Sequence, residues 1–252
     1  MRKVITTIVV FFATLLSLYS QQTYDTTGNA EYYRKFAFRS FSNESITLPY
    51  REASLCQNES GQSALVIFLH GGSHRGDDNK SQIRGTAIRA IVNYLKKSNI
   101  KSIVVAPQCD KDHFWHDYDG KVSTALKQLI DKLIADNSDI DSKRIYIFGY
   151  SSGGAGVWRM ISDYPDTFAA AMAVASYPRN AYPKNIAQTA LCCVMAGKDD
   201  KAKVSLVKPT IKETQKYGGT INFIVEKDCD HISVCPIAFS DKNLEWVFDK
   251  RK

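Results

Sequence analysis

The chain has no linker rich in proline or glycine, no internal repeat and no low-complexity tract in its 252 residues. Those absences exclude a solenoid, a string of small modules and a disordered scaffold. The longest apolar run, Val4 to Leu18, falls short of the ~20 residues that a membrane-spanning helix needs. Lysine is scattered, not gathered in one segment, so the net charge of +7 reads as a solvated basic surface with no nucleic-acid partner. Cysteine is sparse. Cys56, Cys109, Cys192, Cys193, Cys229 and Cys235 match no zinc-binding spacing and are too few for a small disulfide scaffold. One loop, with Asp110, Asp112, His113, His116 and Asp117, has chelating residue types, but acidic aromatic loops are ordinarily just solvated. No metal and no cofactor is assigned.

What is present begins with Met1-Arg2-Lys3, the apolar run, and then Tyr19-Ser20. A positive end, a short apolar centre and a small residue after it form a secretory signal peptide. Residues 1–20 are therefore the leader, and 21–252 are one domain, secreted or periplasmic, with no stable membrane insertion after cleavage. Removing Arg2 and Lys3 takes the charge from +7 to +5. An exported protein permits disulfides, and Cys229–Cys235, bracketing His231, is the expected pair. Cys192 and Cys193, inside an apolar strand, are expected to be buried free thiols. Oligomeric state is left open.

Two strand-like stretches, Lys35 to Phe41 and Ser45 to Arg51, read as an antiparallel edge hairpin. Short apolar runs follow at Ala64–Leu69, Ser102–Ala106, Arg144–Phe148, Ala169–Ala175, Ala190–Ala196 and Thr220–Glu226. Each has the continuous apolar character of a strand buried on both faces. Helical patterns lie between them at Ser81–Lys97, Lys121–Asn137, Ser152–Ser162, Val204–Tyr217 and Lys242–Lys250. The alternation predicts an α/β fold with a doubly wound, mostly parallel sheet. In such sheets ligands bind beyond the carboxyl ends of the strands.

At one of those ends stands Gly149-Tyr150-Ser151-Ser152-Gly153. A G-x-S-x-G pentapeptide between strand and helix is the pattern of a nucleophile elbow, which names Ser151 as the nucleophile. A serine hydroxyl needs a base, and the base needs a partner that fixes its tautomer. His231 follows the last strand, whereas His70, His74, His113 and His116 all precede Ser151. The acid belongs after Ala190–Ala196, where Asp199 and Asp200 are both candidates. Oxyanion donors are assigned to the backbone of Ser152, directly after the nucleophile, and of Gly72, in the loop after Ala64–Leu69.

Phe68-Leu69-His70-Gly71-Gly72, followed by Arg75-Gly76-Asp77-Asp78-Asn79, resembles the LHGxGERGxDN segment of a group of secreted α/β-hydrolase esterases. The group is related to polyhydroxybutyrate depolymerase, feruloyl esterase and prolyl-oligopeptidase-type hydrolases. Ala106-Pro107-Gln108-Cys109 with Trp115 is similar to its APQCPxxxxW segment, and Tyr164 to Ala169 and His231 to Trp246 also follow its pattern. The resemblance implies an α/β-hydrolase fold and a serine esterase acting through Ser151, His231 and an aspartate, and the short connection between Ala169–Ala175 and Ala190–Ala196 leaves no room for a lid domain. The group's spacing, three residues after the glycine, selects Asp200. His70, Gly71, Tyr150 and Trp115 are assigned to the substrate pocket.

The chain departs from the pattern at four points, one of them Asp230, which stands where glycine usually precedes the histidine. Ser152 stands where Met or Gln is usual, His74 where Glu is usual, and the run Lys201-Ala202-Lys203 lacks the Val-Pro continuation. The implied substrate is a small ester or an ester-decorated polysaccharide, with a short or aromatic acyl group. A peptidase, a thioesterase and an inactive secreted binding protein on the same scaffold are the alternatives.

Overall fold

The computed structural model describes residues 28–252, and the leader assigned to residues 1–20 lies outside them. The described residues 28–37 belong to one unit, in which helix α1 (Gly28–Arg34) carries a Glu31–Lys35 pair at 2.8 Å. The unit from Phe38 to Lys252 is built on an eight-stranded sheet.

The strands are β1 (Ala37–Ser42), β2 (Thr47–Leu55), β3 (Ser63–Leu69), β4 (Ser102–Pro107), β5 (Ile140–Tyr150), β6 (Ala170–Val174), β7 (Ala190–Ala196) and β8 (Ile221–Glu226). They are ordered β1-β2-β4-β3-β5-β6-β7-β8. Four residues join β1 to β2, a length that only an antiparallel hairpin allows. β2 runs antiparallel to β4, and the remaining pairs are parallel. This is the α/β-hydrolase fold that the motifs imply.

Every residue of β3, β4 and β6 is buried, which explains why they read as unbroken apolar runs. β8, at the sheet edge, is half-buried throughout. β5 runs beyond the apolar stretch Arg144–Phe148 at both ends. Ile140 pairs with Ser63 across a register shift, and Tyr150 pairs with Val174. Its polar start, Asp141, is held by Arg144 at 3.1 Å and Arg251 at 2.9 Å, so the sequence pattern missed it.

Helices α2 (Thr86–Lys97), α3 (Lys121–Asp136), α4 (Ser152–Asp163), α5 (Pro183–Ile186), α6 (Val204–Lys216), α7 (Val234–Ala238) and α8 (Asp241–Phe248) follow in chain order. α2 buries Ala87, Ile88, Ile91, Val92 and Leu95, a stripe at helical spacing. It does not begin at Ser81, because Gly85 is extended (ψ 155°) and residues 81–83 form a separate 3₁₀ turn. Between β6 and β7 the chain holds only the four-residue α5, so no lid domain is inserted there.

The strand order reverses beside β3. From β3 the chain passes to β4 on one side, whereas β5 passes to β6 on the other. The loops leaving β3 and β5 therefore diverge, and a crevice opens at their carboxyl ends.

Candidate active site

Ser151 sits in that crevice, between the end of β5 and the start of α4. Its backbone has φ 56° and ψ −119°, a strained conformation for a residue with a side chain. Close approach on both flanks makes the bend possible. A Cβ on Gly149 would collide with the Gly153 carbonyl, and one on Gly153 with the Leu69 carbonyl of β3. The Ser151 N–H donates to Val174 O at 2.9 Å, which fixes the turn against β6.

Ser151 Oγ lies 2.8 Å from His231 Nε2, and His231 Nδ1 lies 2.7 Å from Asp199 Oδ2. A carboxylate only accepts hydrogen bonds, so the imidazole proton is on Nδ1 and the Nε2 lone pair faces the serine hydroxyl. Asp199 is anchored independently. Its Oδ1 accepts the N–H groups of Lys201 (2.8 Å) and Ala202 (2.9 Å). Burial pushes its carboxyl pKa up, but those donors and the imidazole more than offset this, and the net shift is downward.

The carboxylate that holds His231 is therefore Asp199, and the assignment of Asp200 to that place is corrected. The turn after β7 directs Asp199 inward, its side chain fully buried, and leaves Asp200 exposed. His231 is held from behind by the Tyr150 hydroxyl, which donates to His231 O at 2.5 Å. The neighbouring Asp230 carboxylate caps its own turn through the N–H groups of Ile232 and Ser233.

Gly72 and Ser152 face each other beside Ser151. A Cβ placed on Gly72 would stand 3.9 Å from Ser152 Cβ. Ser152 opens α4, so its N–H has no intrahelical acceptor. Together with Ser151 and His231 they border a cavity of about 390 Å³, whose apolar walls include Phe114, Ala155, Ala175 and Tyr177.

Four pocket assignments are corrected. His70, Gly71, Trp115 and Tyr150 do not line the cavity. His70 is buried. Its Nε2 accepts the Cys109 N–H at 3.1 Å, its Nδ1 donates to Gly71 O at 2.8 Å, and burial lowers its pKa to about 4. Trp115 donates from its indole to His70 O at 3.0 Å and is buried. Gly71 packs under the Tyr150 ring, where a Cβ would stand at 3.4 Å. These residues brace the Gly72 loop from beneath.

The RGDDN and APQC segments extend the brace. Asp78 accepts from Ser81, Lys80 and Gln108, while Gln108 accepts the Asn79 N–H at 2.7 Å. Arg75, lacking an acidic neighbour at position 74, donates to the carbonyls of Lys111 (2.9 Å) and His113 (3.3 Å) and stacks on Phe114. The chelating residue types of that loop diverge. His113 pairs with Asp110 at 2.8 Å, Asp117 accepts the Phe114 N–H, and His116 alone borders the cavity. The expected Cys229–Cys235 bridge is also corrected, since both are free thiols.

Residues that sequence reasoning missed come from the loops after β4, β6 and β7: Phe114, His116, Ser176, Tyr177, Arg179 and Lys201. The strand now seen as β6 was legible, and its carboxyl end, Ser176 to Arg179, was the available signal.

Residues 111–180 match the prolyl oligopeptidase family. No curated protein sequence matches the chain significantly. Among solved structures, the chain is similar to a thermostable esterase, with 25% identity and a TM-score of 0.78 over 87% of this chain and 64% of that one. It thus spans less than two thirds of that protein's length. It is also similar to the acylaminoacyl peptidase of Pyrococcus horikoshii, with 14% identity and a TM-score of 0.65 over 88% of this chain and 42% of that one. A feruloyl esterase module from Clostridium thermocellum gives 12% identity and a TM-score of 0.57, over 85% and 88%. The likeness to esterases agrees with the group that the motifs resemble.

Proposed function

We propose that this chain is a serine hydrolase of carboxylic esters that works through an acyl-enzyme. The observation that carries the reading is the continuous relay from Ser151 Oγ through His231 to buried Asp199, at 2.8 Å and 2.7 Å. His231 Nε2 takes the Ser151 proton as Oγ attacks the ester carbonyl carbon. The oxyanion is held by the N–H groups of Gly72 and Ser152, and Asp199 balances the charge of the imidazolium. His231 then gives its proton to the departing alkoxide oxygen. Water, deprotonated by His231, attacks the acyl carbon and frees Ser151.

A small ester or an ester carried on a polysaccharide suits a site with no lid domain inserted between β6 and β7, and the leader read from residues 1–20 suits export. Peptide hydrolysis is the second reading, favoured by the family match over residues 111–180. The chain covers only 42% of the peptidase it is similar to, which weighs toward esters.

The test is hydrolysis of acetyl, butyryl and feruloyl esters, beside dipeptide amides, by wild type and Ser151→Ala. Esters are expected to be the better substrates, and Ser151→Ala to lower kcat by roughly 10⁴–10⁶-fold. Full activity in Ser151→Ala would sink the reading.

A further inference from the structure

The cavity beside Ser151 contains polar groups that the hydrolytic relay does not use. Arg179, from the loop after β6, and Lys201, from the loop after β7, both border it, and no carboxylate does. Among the described residues neither cation is in an ion pair. The Arg179 guanidinium lies over the Tyr177 ring, 5.2 Å from its centroid. Arg159, which borders the same side as Arg179, is already paired with Asp163.

Three residues that border the cavity each carry a buried polar atom without a hydrogen-bond partner: Ser152 Oγ, Ser176 Oγ and His116 Nδ1. Buried polar atoms are nearly always satisfied, so Ser152 Oγ and His116 Nδ1, beside the cavity, are the groups that a polar ligand would complete, whereas Ser176 Oγ packs against Gly154 of α4. Two acidic groups of the adjoining loops are committed, Asp199 to His231 and Asp117 to the Phe114 N–H. Ser152 is also a departure from the motif, where Met or Gln is usual.

We infer that this cavity is a carboxylate subsite, so that the preferred ester carries an anionic group a few bonds from the scissile carbonyl. Arg179 receives that group in fork geometry, Lys201 adds charge, and the Ser152 hydroxyl donates to it. Burial lowers the His116 pKa and Arg179 lowers it further, so the ring stays neutral and offers one more hydrogen bond. The inference rests on the ester-hydrolase reading for its substrate class, but the subsite itself does not.

The anionic group belongs either to the acyl part or to the alcohol, and two substrate pairs separate these sources. 4-Nitrophenyl hemisuccinate against 4-nitrophenyl butyrate tests the acyl side. 4-Acetoxybenzoate against its methyl ester tests the alcohol side. In one pair the charged member should have a kcat/KM about ten- to a hundred-fold higher, the factor of one charge-assisted hydrogen-bonded contact. In Arg179→Ala with Lys201→Ala that ratio should fall to about one, and Arg179→Lys should keep part of it. Comparing the ratio within each variant removes any effect of altered folding. No preference in either pair, or a preference that survives the double substitution, overturns the inference.

If no ester is hydrolysed, the ester-hydrolase reading has failed, and calorimetry decides the subsite separately. Monomethyl succinate should bind the Ser151→Ala protein and bind at least ten-fold more weakly when Arg179→Ala is added. Equal binding in the two proteins overturns the subsite.

Discussion

Asp199 and Asp200 are adjacent carboxylates in opposite surroundings. Asp199 is fully buried against His231, with two backbone donors on its other oxygen, and Asp200 is exposed. Residue type could narrow the acid to these two and no further, because the choice depends on which way the turn after β7 points each side chain. The same limit misplaced His70, Trp115 and Tyr150. A strand-end position puts a residue near the site, but its side chain can face the cavity or the packing beneath it. Ser151 and His231 were legible because their chemistry and chain order left no competitor. Asp199→Asn should lower kcat on esters by about 10⁴-fold, since the amide cannot hold the Nδ1–H tautomer as a carboxylate does. Asp200→Asn should stay within about three-fold of wild type. Steady-state kinetics of the two variants checks this, and the opposite ranking would restore Asp200 as the acid.

At the scale of elements, the elbow is one rigid joint among β3, β5 and α4. Its strain is held by contact: the α4 backbone at Gly153 touches the Leu69 carbonyl of β3, so the serine cannot relax without separating helix from sheet. The buried strands were legible because both their faces are apolar. The start of α2 was not, since an extended Gly85 interrupts a pattern whose polar residues look helical on both sides. This contrast between the two glycines is measurable. Gly153→Ala places a methyl group inside the Leu69 carbonyl, and it should cost several kcal/mol, beyond the 1–3 kcal/mol (approximately) typical of overpacking, and abolish ester turnover. Gly85 has φ −67°, and its added Cβ would meet only His74 at an ordinary 3.8 Å. Gly85→Ala should leave turnover unchanged and shift stability by no more than about 1 kcal/mol, because the entropy gained opposes the loss of a glycine N-cap. Urea unfolding with parallel activity assays on the two variants measures both effects, and equal outcomes would refute the packing argument.

For the molecule as a whole, the question is what holds loops from six strand ends around one cavity. Gly72 follows β3, Phe114 follows β4, Ser151 follows β5, Arg179 follows β6, Asp199 follows β7 and His231 follows β8, so their spacing is set by the sheet. None of these loops is tied by a covalent link, because all six cysteines are free. Cys192 and Cys193 are consecutive on β7 and project to opposite faces. Burial raises the thiol pKa of Cys109 and Cys192 to about 12, leaving almost no thiolate for exchange. The sequence suggested a Cys229–Cys235 bridge from spacing alone, and spacing carries no information on whether two side chains converge. A bridge over so short a loop would add about 2 kcal/mol, or about 4–8 °C in Tm for a domain of this size. The expected outcome is therefore a melting curve that does not move when a reductant is added. Iodoacetamide should label the partly exposed Cys56 in the native protein and the other five only after unfolding. A Tm drop of several degrees on reduction, with Cys229 and Cys235 newly labelled, would show that the sheet is not holding the His231 loop unaided.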